Sequence, residues 1–101
     1  MDRPPISVLV VEDDEALRRE FVSMIDAAPG LVLLDVAETL SAARAALAKH
    51  GAPDVMIVDL GLPDGDGTAL IGELAVTSPT SDALVMTIFG DEDHVVRALE
   101  A

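Results

Sequence analysis

The sequence predicts an α/β domain built on a doubly wound parallel sheet, and three observations lead to this fold class. Short apolar runs rich in β-branched residues recur along the chain, which is typical of strands buried on both faces. Between them lie stretches with apolar residues three and four positions apart, which indicates helices that pack by one side. The two patterns alternate regularly, and this order favours a three-layer α/β/α arrangement with right-handed crossovers.

The first half of the chain predicts two strand–helix units. The strands are residues 6–11 (ISVLVV) and 31–37 (LVLLDVA). Asp14 is the expected N-cap of the first helix, because its carboxylate can accept a hydrogen bond from the first turn. The second helix covers 41–50 and is expected to end at Gly51. The apolar face of the first helix is predicted to comprise Leu17, Phe21, Met24, Ile25 and Ala28.

The second half predicts two further units of the same kind. A third buried strand covers Val55–Val58, and the glycine-rich segment 61–67 (GLPDGDG) is predicted to be a loop. A short helix follows over Thr68–Val76. The fourth strand covers Leu84–Ile88, and a fourth helix is expected from His94 to Ala101, where the sequence stops.

Composition indicates one small acidic domain over residues 1–101. Half of the residues are apolar, which is enough for a core of its own. The net charge of −13 argues against direct binding of nucleic acid, because phosphate contacts need clustered Lys and Arg. The absence of cysteine excludes disulfides and thiolate metal sites. No signal peptide or membrane-spanning run is recognisable, so we expect a cytoplasmic protein.

Polar side chains stand at the carboxyl ends of three predicted strands. Glu12 and Asp13 follow the first strand, Asp59 follows the third, and Thr87 lies near the end of the fourth. These ends meet at one edge of a parallel sheet, where ligands bind near the point at which strand order reverses. Three carboxylates brought together are costly unless a cation neutralises them. Because oxygen ligands with open positions suit Mg²⁺, the pattern predicts a magnesium site.

A carboxylate beside Mg²⁺ can also be a nucleophile toward a phosphoryl group. Asp59 is the candidate nucleophile, because it stands alone at the end of a central strand. Asp13 is the candidate direct metal ligand, and Glu12 would act through water. The hydroxyl of Thr87 would donate to a phosphoryl oxygen.

Three segments together resemble the receiver domains of two-component response regulators. They are VLVVEDDEALRR, PDVMIVDLGLPDGDG and ALVMTIFGDEDHVVRALEA, in the order and on the strands that the family uses. The resemblance spans residues 6–101 and is strongest to receivers of the LuxR/NarL type. It implies a flavodoxin-like (CheY-like) fold.

The resemblance also implies roles for individual residues. Glu12 and Asp13 match the family's acidic pair, Asp59 its phosphoacceptor and Thr87 its switch hydroxyl. The backbone carbonyl of Gly61 matches the group that completes the metal site. A histidine kinase would be the phosphoryl donor, with an output such as transcription regulation through a separate effector domain. The domain would catalyse at most its own phosphorylation and dephosphorylation.

One departure from the family stands out. The family's phosphate-contacting lysine lies at the end of a fifth strand, which a fifth helix follows, and the sequence stops before both. The only lysine, Lys49, falls in the second predicted helix. We therefore expect a receiver lacking its last strand–helix unit, with Leu84–Ile88 as an exposed edge open to dimerisation or domain swapping.

Two other functions are compatible with parts of this sequence. An Mg²⁺-dependent phosphatase of the haloacid dehalogenase type also uses an aspartyl phosphate, but Gly61 stands where its second acid would be. A receiver-like module that only binds other proteins is a third possibility.

Some of the charged residues also have a simpler interpretation. Acids at the start of a helix are most often solvated caps when no other observation supports a site. Arg18 and Arg19 are expected on a solvated helix face.

Overall fold

The computed structural model describes residues 4–89 and 92–98, and for 87–89 and 92–98 it describes the backbone. The elements in chain order are β1 (Ile6–Val11), α1 (Glu15–Ala27), β2 (Leu31–Ala37), α2 (Leu40–His50), β3 (Val55–Asp59), β4 (Gly61–Leu62), β5 (Gly65–Asp66), α3 (Thr68–Thr77), β6 (Asp82–Phe89) and β7 (Glu92–Ala98). None of the three helices in this described part has the length and apolar character needed to cross a bilayer.

The main sheet has the order β2-β1-β3-β6-β7. The pairs β1–β2, β1–β3 and β3–β6 are parallel, which confirms the predicted doubly wound sheet. The chain moves outward from β1 to β2 and then returns to the other side of β1 with β3. Strand order therefore reverses between β1 and β3, and the acidic residues Glu12, Asp13 and Asp59 lie at the carboxyl ends of these two strands.

Alternate residues of each central strand enter opposite sides of the sheet. Leu9 and Val11 pack with the buried faces of α2 and α3, whereas Val8 and Val10 pack against α1. Both cores are aliphatic apart from Phe21 on the α1 side. The α/β/α layering predicted from the alternation is thus confirmed for the described residues, with two helices on one side and one on the other.

Helix α1 begins and packs largely as predicted. The carboxylate of Asp14 accepts a hydrogen bond from the Leu17 N–H at 3.0 Å, which confirms the N-cap. Phe21 and Ile25 are buried. Met24 lies on the same apolar face, as predicted, but is 65% exposed there. At 100° per residue Met24 lies at the margin of that face, which is consistent with its exposure.

The segment 61–67 is more ordered than the predicted loop. Strands β4 and β5 form a two-residue antiparallel ladder, with Gly61 opposite Asp66 and Leu62 opposite Gly65. The Leu62 side chain is buried and belongs to the core on the α2–α3 side. Burial of Leu62 holds the first half of the segment against the core, and the turn after it brings Gly65 and Asp66 back alongside.

The segment after β6 corrects the predicted fourth helix. Residues 92–98 form β7, which pairs antiparallel with β6 from Phe89–Glu92 to Ala83–Ala98. Residues 99–101 of the predicted helix lie outside the described part. The β-branched pair Val95-Val96 favours a strand, and pairing satisfies the backbone groups that the outer edge of β6 would leave open. The exposed edge expected at Leu84–Ile88 is therefore also wrong.

Polar residues join β1 and β3 at their amino ends, at the opposite end of the strands from Glu12, Asp13 and Asp59. The Asp54 carboxylate accepts from the Ser7 N–H at 2.9 Å and from the Ser7 hydroxyl at 3.2 Å. The Asp54 N–H in turn donates to the Ser7 hydroxyl oxygen at 2.9 Å. The Asp82 N–H donates to the Asp54 carbonyl at 2.9 Å, so β6 is included in the same arrangement.

Candidate metal and phosphoacceptor site

Three carboxylates meet at the carboxyl edge of the sheet. One oxygen each from Glu12, Asp13 and Asp59 lies within 4.8 Å of the other two. Val11, the last residue of β1, pairs with Val58, so Glu12 comes level with Asp59 at the end of β3. The structure thus brings together the three acids that the sequence places far apart.

Glu12 is the unusual member of this group, because only 3% of it is exposed. Burial raises the pKa of its carboxyl group to about 7, with a further upward contribution from the charge of Asp59. The Asp14 N–H donates to the Glu12 carboxylate at 3.0 Å and acts in the opposite direction, lowering the pKa. An ionised Glu12 without a counterion is therefore costly.

This donor set fits a divalent cation. Carboxylate oxygens are the ligands that Mg²⁺ and Ca²⁺ prefer. Asp13 is exposed and Asp59 is half-buried, so the group is open to solvent on one side. A cation bound there would offset the cost of burying the Glu12 charge and its repulsion by Asp59, the two effects that raise the Glu12 pKa.

The two other predicted site residues lie beside this cluster along the backbone. The Gly61 N–H donates to the Asp59 carboxylate at 3.2 Å, which holds the two residues together. On β6, Met86 pairs with Asp59, and Thr87 is the next residue along that strand. The Thr87 side chain is outside what the structure describes, so its hydroxyl remains a prediction.

Gly67 fixes the backbone behind Asp59. A Cβ atom at position 67 would lie directly against the Asp59 carbonyl oxygen and 2.9 Å from Val58 Cγ2. The Gly67 N–H also donates to the Leu60 carbonyl at 2.9 Å. Close approach of these two backbone segments requires a residue without a side chain.

Arg18 contacts the backbone of the acidic pair, so the prediction that it lies on a solvated helix face is wrong. Its guanidinium donates to the carbonyl of Glu12 at 3.0 Å and to that of Asp13 at 3.4 Å. It also lies 3.4 Å from the Glu38 carboxylate, and its side chain is only 16% exposed. Helical side chains tilt toward the helix N-terminus, which is the signal that could have indicated this contact. Arg19, 78% exposed, is confirmed on the solvated face.

An Arg18→Ala variant is expected to bind Mg²⁺ at least about tenfold more weakly, because groups that orient metal ligands typically matter by that amount. The matched control is Arg19→Ala, which removes the same charge from the neighbouring position. Isothermal titration calorimetry with MgCl₂ measures both affinities. Equal affinities for the two variants would show that the Arg18 hydrogen bonds do not orient the acidic pair.

The parallel sheet and the acidic cluster at its switch point together define a doubly wound α/β domain with a site suited to a cation. The sequence model of the response regulator receiver domain matches residues 8–101. The chain belongs to this family. This confirms the resemblance, and with it the flavodoxin-like fold class, and leaves the haloacid dehalogenase interpretation without support.

Relatives with different outputs share this domain. The chain is 39% identical over 95 residues to protein-glutamate methylesterase/protein-glutamine glutaminase 2 of Anaeromyxobacter dehalogenans, covering 94% of the chain and 27% of that protein. It is 37% identical over 95 residues to the KDP operon transcriptional regulatory protein KdpE of Escherichia coli, covering 94% of the chain and 40% of KdpE. The chain thus spans less than half the length of these relatives.

Solved structures agree on the fold. A two-component response regulator of the LuxR family from Aurantimonas sp. superposes with a TM-score of 0.74 at 20% identity, over 85% of this chain and 61% of that one. At this identity the likeness shows the fold alone.

Proposed function

We propose that the chain is a phosphoacceptor domain that takes a phosphoryl group onto Asp59. The observation that carries this proposal is the convergence of Glu12, Asp13 and Asp59 at the switch point of a receiver-family sheet. A histidine kinase is the proposed donor. An Asp59 carboxylate oxygen forms a bond to phosphorus, the bond from phosphorus to the donor nitrogen breaks, and its electron pair stays on that nitrogen.

Each residue of the site has a proposed part in this transfer. Asp13 and Asp59 would hold Mg²⁺ directly, Glu12 through water, and the Gly61 carbonyl would complete the set. When bound, the metal would offset the negative charge of the incoming phosphoryl group. The Gly61 N–H keeps one Asp59 oxygen in place, which leaves the other free to attack. The Thr87 hydroxyl would donate to a phosphoryl oxygen.

The phosphorylated domain is proposed to act by changing its contacts with partner proteins or with an attached effector domain. Phosphorylation would shift an existing equilibrium between two conformations of the domain and so favour self-association or release of an effector. The match to KdpE supports transcription regulation as that output, with DNA bound by the effector and not by this acidic domain. A cytoplasmic location follows from a kinase donor and a transcriptional output.

Intact-mass measurement tests the proposal directly. The chain is incubated with MgCl₂ and a small-molecule phosphodonor, next to Asp59→Asn and, as a control, Asp26→Asn on the surface of α1. We expect one phosphoryl adduct on the wild type and on the control, none on Asp59→Asn, and none after chelation of the metal. A wild type that takes up no phosphoryl group, or an adduct that survives in Asp59→Asn, contradicts the proposal.

A further inference from the structure

Asp64 links the loop after Asp59 to the start of helix α2. It lies in the turn between β4 and β5, and its two carboxylate oxygens accept from two consecutive backbone N–H groups. The Leu40 N–H donates to Oδ1 at 2.7 Å, and the Ser41 N–H donates to Oδ2 at 3.0 Å. These hydrogen bonds hold the pKa of Asp64 below its usual range, so the carboxylate stays ionised at neutral pH.

Helix α2 also has a cap of its own. Thr39 is its N-cap, and its hydroxyl oxygen accepts from the Ala42 N–H at 3.0 Å. The hydrogen bonds from Asp64 therefore add a connection across 23 and 24 positions of sequence to a helix that already has a side-chain cap. The loop is seated closely there, since a Cβ atom at position 65 would lie 2.6 Å from Leu40 Cδ1.

The same loop carries the phosphoacceptor. It leaves β3 at Asp59 and is closed by the hydrogen bond from the Gly67 N–H to the Leu60 carbonyl. Within it, Gly61 is the proposed metal ligand and is held to Asp59. The hydrogen bonds of Asp64 to α2 therefore limit how far the segment 59–67 can move away from Glu12 and Asp13.

We propose that Asp64 is a positioning residue. It anchors residues 59–67, the acceptor loop, to α2 and thereby holds Asp59 and Gly61 in place for metal binding. This inference rests on the proposed function of the site. It assigns no contact between Asp64 and the metal or the phosphoryl group. The effect would pass entirely through the loop backbone.

Asp66 provides a matched control in the same loop. Its carboxylate also accepts a backbone hydrogen bond, from the Thr68 N–H at 2.9 Å, but this bond is local to the start of α3. Asp64→Ala and Asp66→Ala therefore remove the same charge, and each removes hydrogen bonds at the start of a helix, two for Asp64 and one for Asp66. Only the first breaks the link between the acceptor loop and α2.

The experiment measures Mg²⁺ affinity by calorimetry with MgCl₂ for the wild type and both variants, with circular dichroism to confirm folding. Asp64→Asn is included because it retains one acceptor oxygen. Amide hydrogen exchange of residues 60–67 without metal gives a readout that does not depend on binding. We expect about tenfold or weaker Mg²⁺ binding for Asp64→Ala, partial recovery for Asp64→Asn, and faster exchange of the loop amides, with Asp66→Ala close to wild type.

The outcomes separate the two proposals. If the wild type binds Mg²⁺ and Asp64→Ala or Asp64→Asn, correctly folded, binds it equally well, the positioning role is overturned while the proposed function stands. Equal losses in Asp64→Ala and Asp66→Ala would also overturn it, because a general charge effect would then explain both. A wild type that binds no Mg²⁺ overturns the proposed function and the positioning role together.

Discussion

Glu12→Gln is expected to stabilise the metal-free protein at pH 8 and, in the same protein, to weaken Mg²⁺ binding at least tenfold. Burial raises the pKa of Glu12 from 4.5 to about 7, and each pKa unit corresponds to about 1.4 kcal/mol. Ionising this group in the folded protein therefore costs on the order of 3 kcal/mol at pH 8. Glutamine has the same shape, carries no charge, and keeps an oxygen for the Asp14 N–H.

The pH dependence distinguishes this explanation from a general surface effect. Because the folded-state pKa of Glu12 is raised, its favourable contribution is complete below about pH 4.5 and is lost as pH rises toward and through 7. Urea unfolding in EDTA should show the difference between Glu12→Gln and wild type growing from pH 5 to pH 8. Asp14→Asn is a control that keeps an acceptor at the N-cap of α1.

Two results would contradict this prediction. A stability difference that stays constant between pH 5 and pH 8 would mean that Glu12 is not titrating in that range. Unchanged Mg²⁺ affinity of Glu12→Gln would remove Glu12 from the metal site. The first result concerns the electrostatics of the free protein and the second concerns its ligand, so each can fail separately.

Gly67→Ala is the second substitution with a large expected effect, a loss of about 3 kcal/mol of unfolding free energy. The added methyl group would meet the backbone of Asp59, which cannot move aside as a flexible side chain could. Relief requires shifting either α3 or the end of β3. Either shift displaces the Asp59 carboxylate from Glu12 and Asp13, so phosphoryl uptake and metal binding should fall together.

Gly72→Ala is the control, because nothing lies within 4 Å of a Cβ atom at position 72 in the middle of α3. Replacing a glycine inside an exposed helix should raise stability by up to about 1 kcal/mol. Thermal and urea unfolding of the two variants should therefore shift in opposite directions. A Gly67→Ala variant as stable as wild type would show that the two backbone segments can separate at little cost.

Much of the fold could be predicted because its signals are local. The predicted bounds 6–11 and 31–37 match β1 and β2 residue for residue, since each run is apolar and its ends are polar or turn-forming. The convergence of Glu12 with Asp59 was predictable from topology alone. Parallel strands bring their carboxyl ends to one edge whatever the sequence between them.

The features that escaped prediction depend on contacts distant in sequence. The pairing of β7 with β6 is decided by an open sheet edge, while the local sequence from His94 also suits a helix. The carbonyl contacts of Arg18 and the link from Asp64 to α2 connect side chains to backbone groups, and no periodicity reports such bonds. The raised pKa of Glu12 comes first from burial and then in part from Asp59, which lies on a different strand.

The hydrogen bonds between Ser7 and Asp54 have a consequence at the opposite end of the sheet. A slip of β3 by one residue along β1 would carry Asp59 about 3.3 Å from its present place and turn its side chain to the other face. The Ser7–Asp54 bonds join the starts of the same two strands and oppose such a slip. The Ser7–Asp54 pair therefore helps to keep Asp59 at its present distance from Glu12 and Asp13. In this way a polar pair at the far end of the sheet influences whether the three carboxylates can hold a cation.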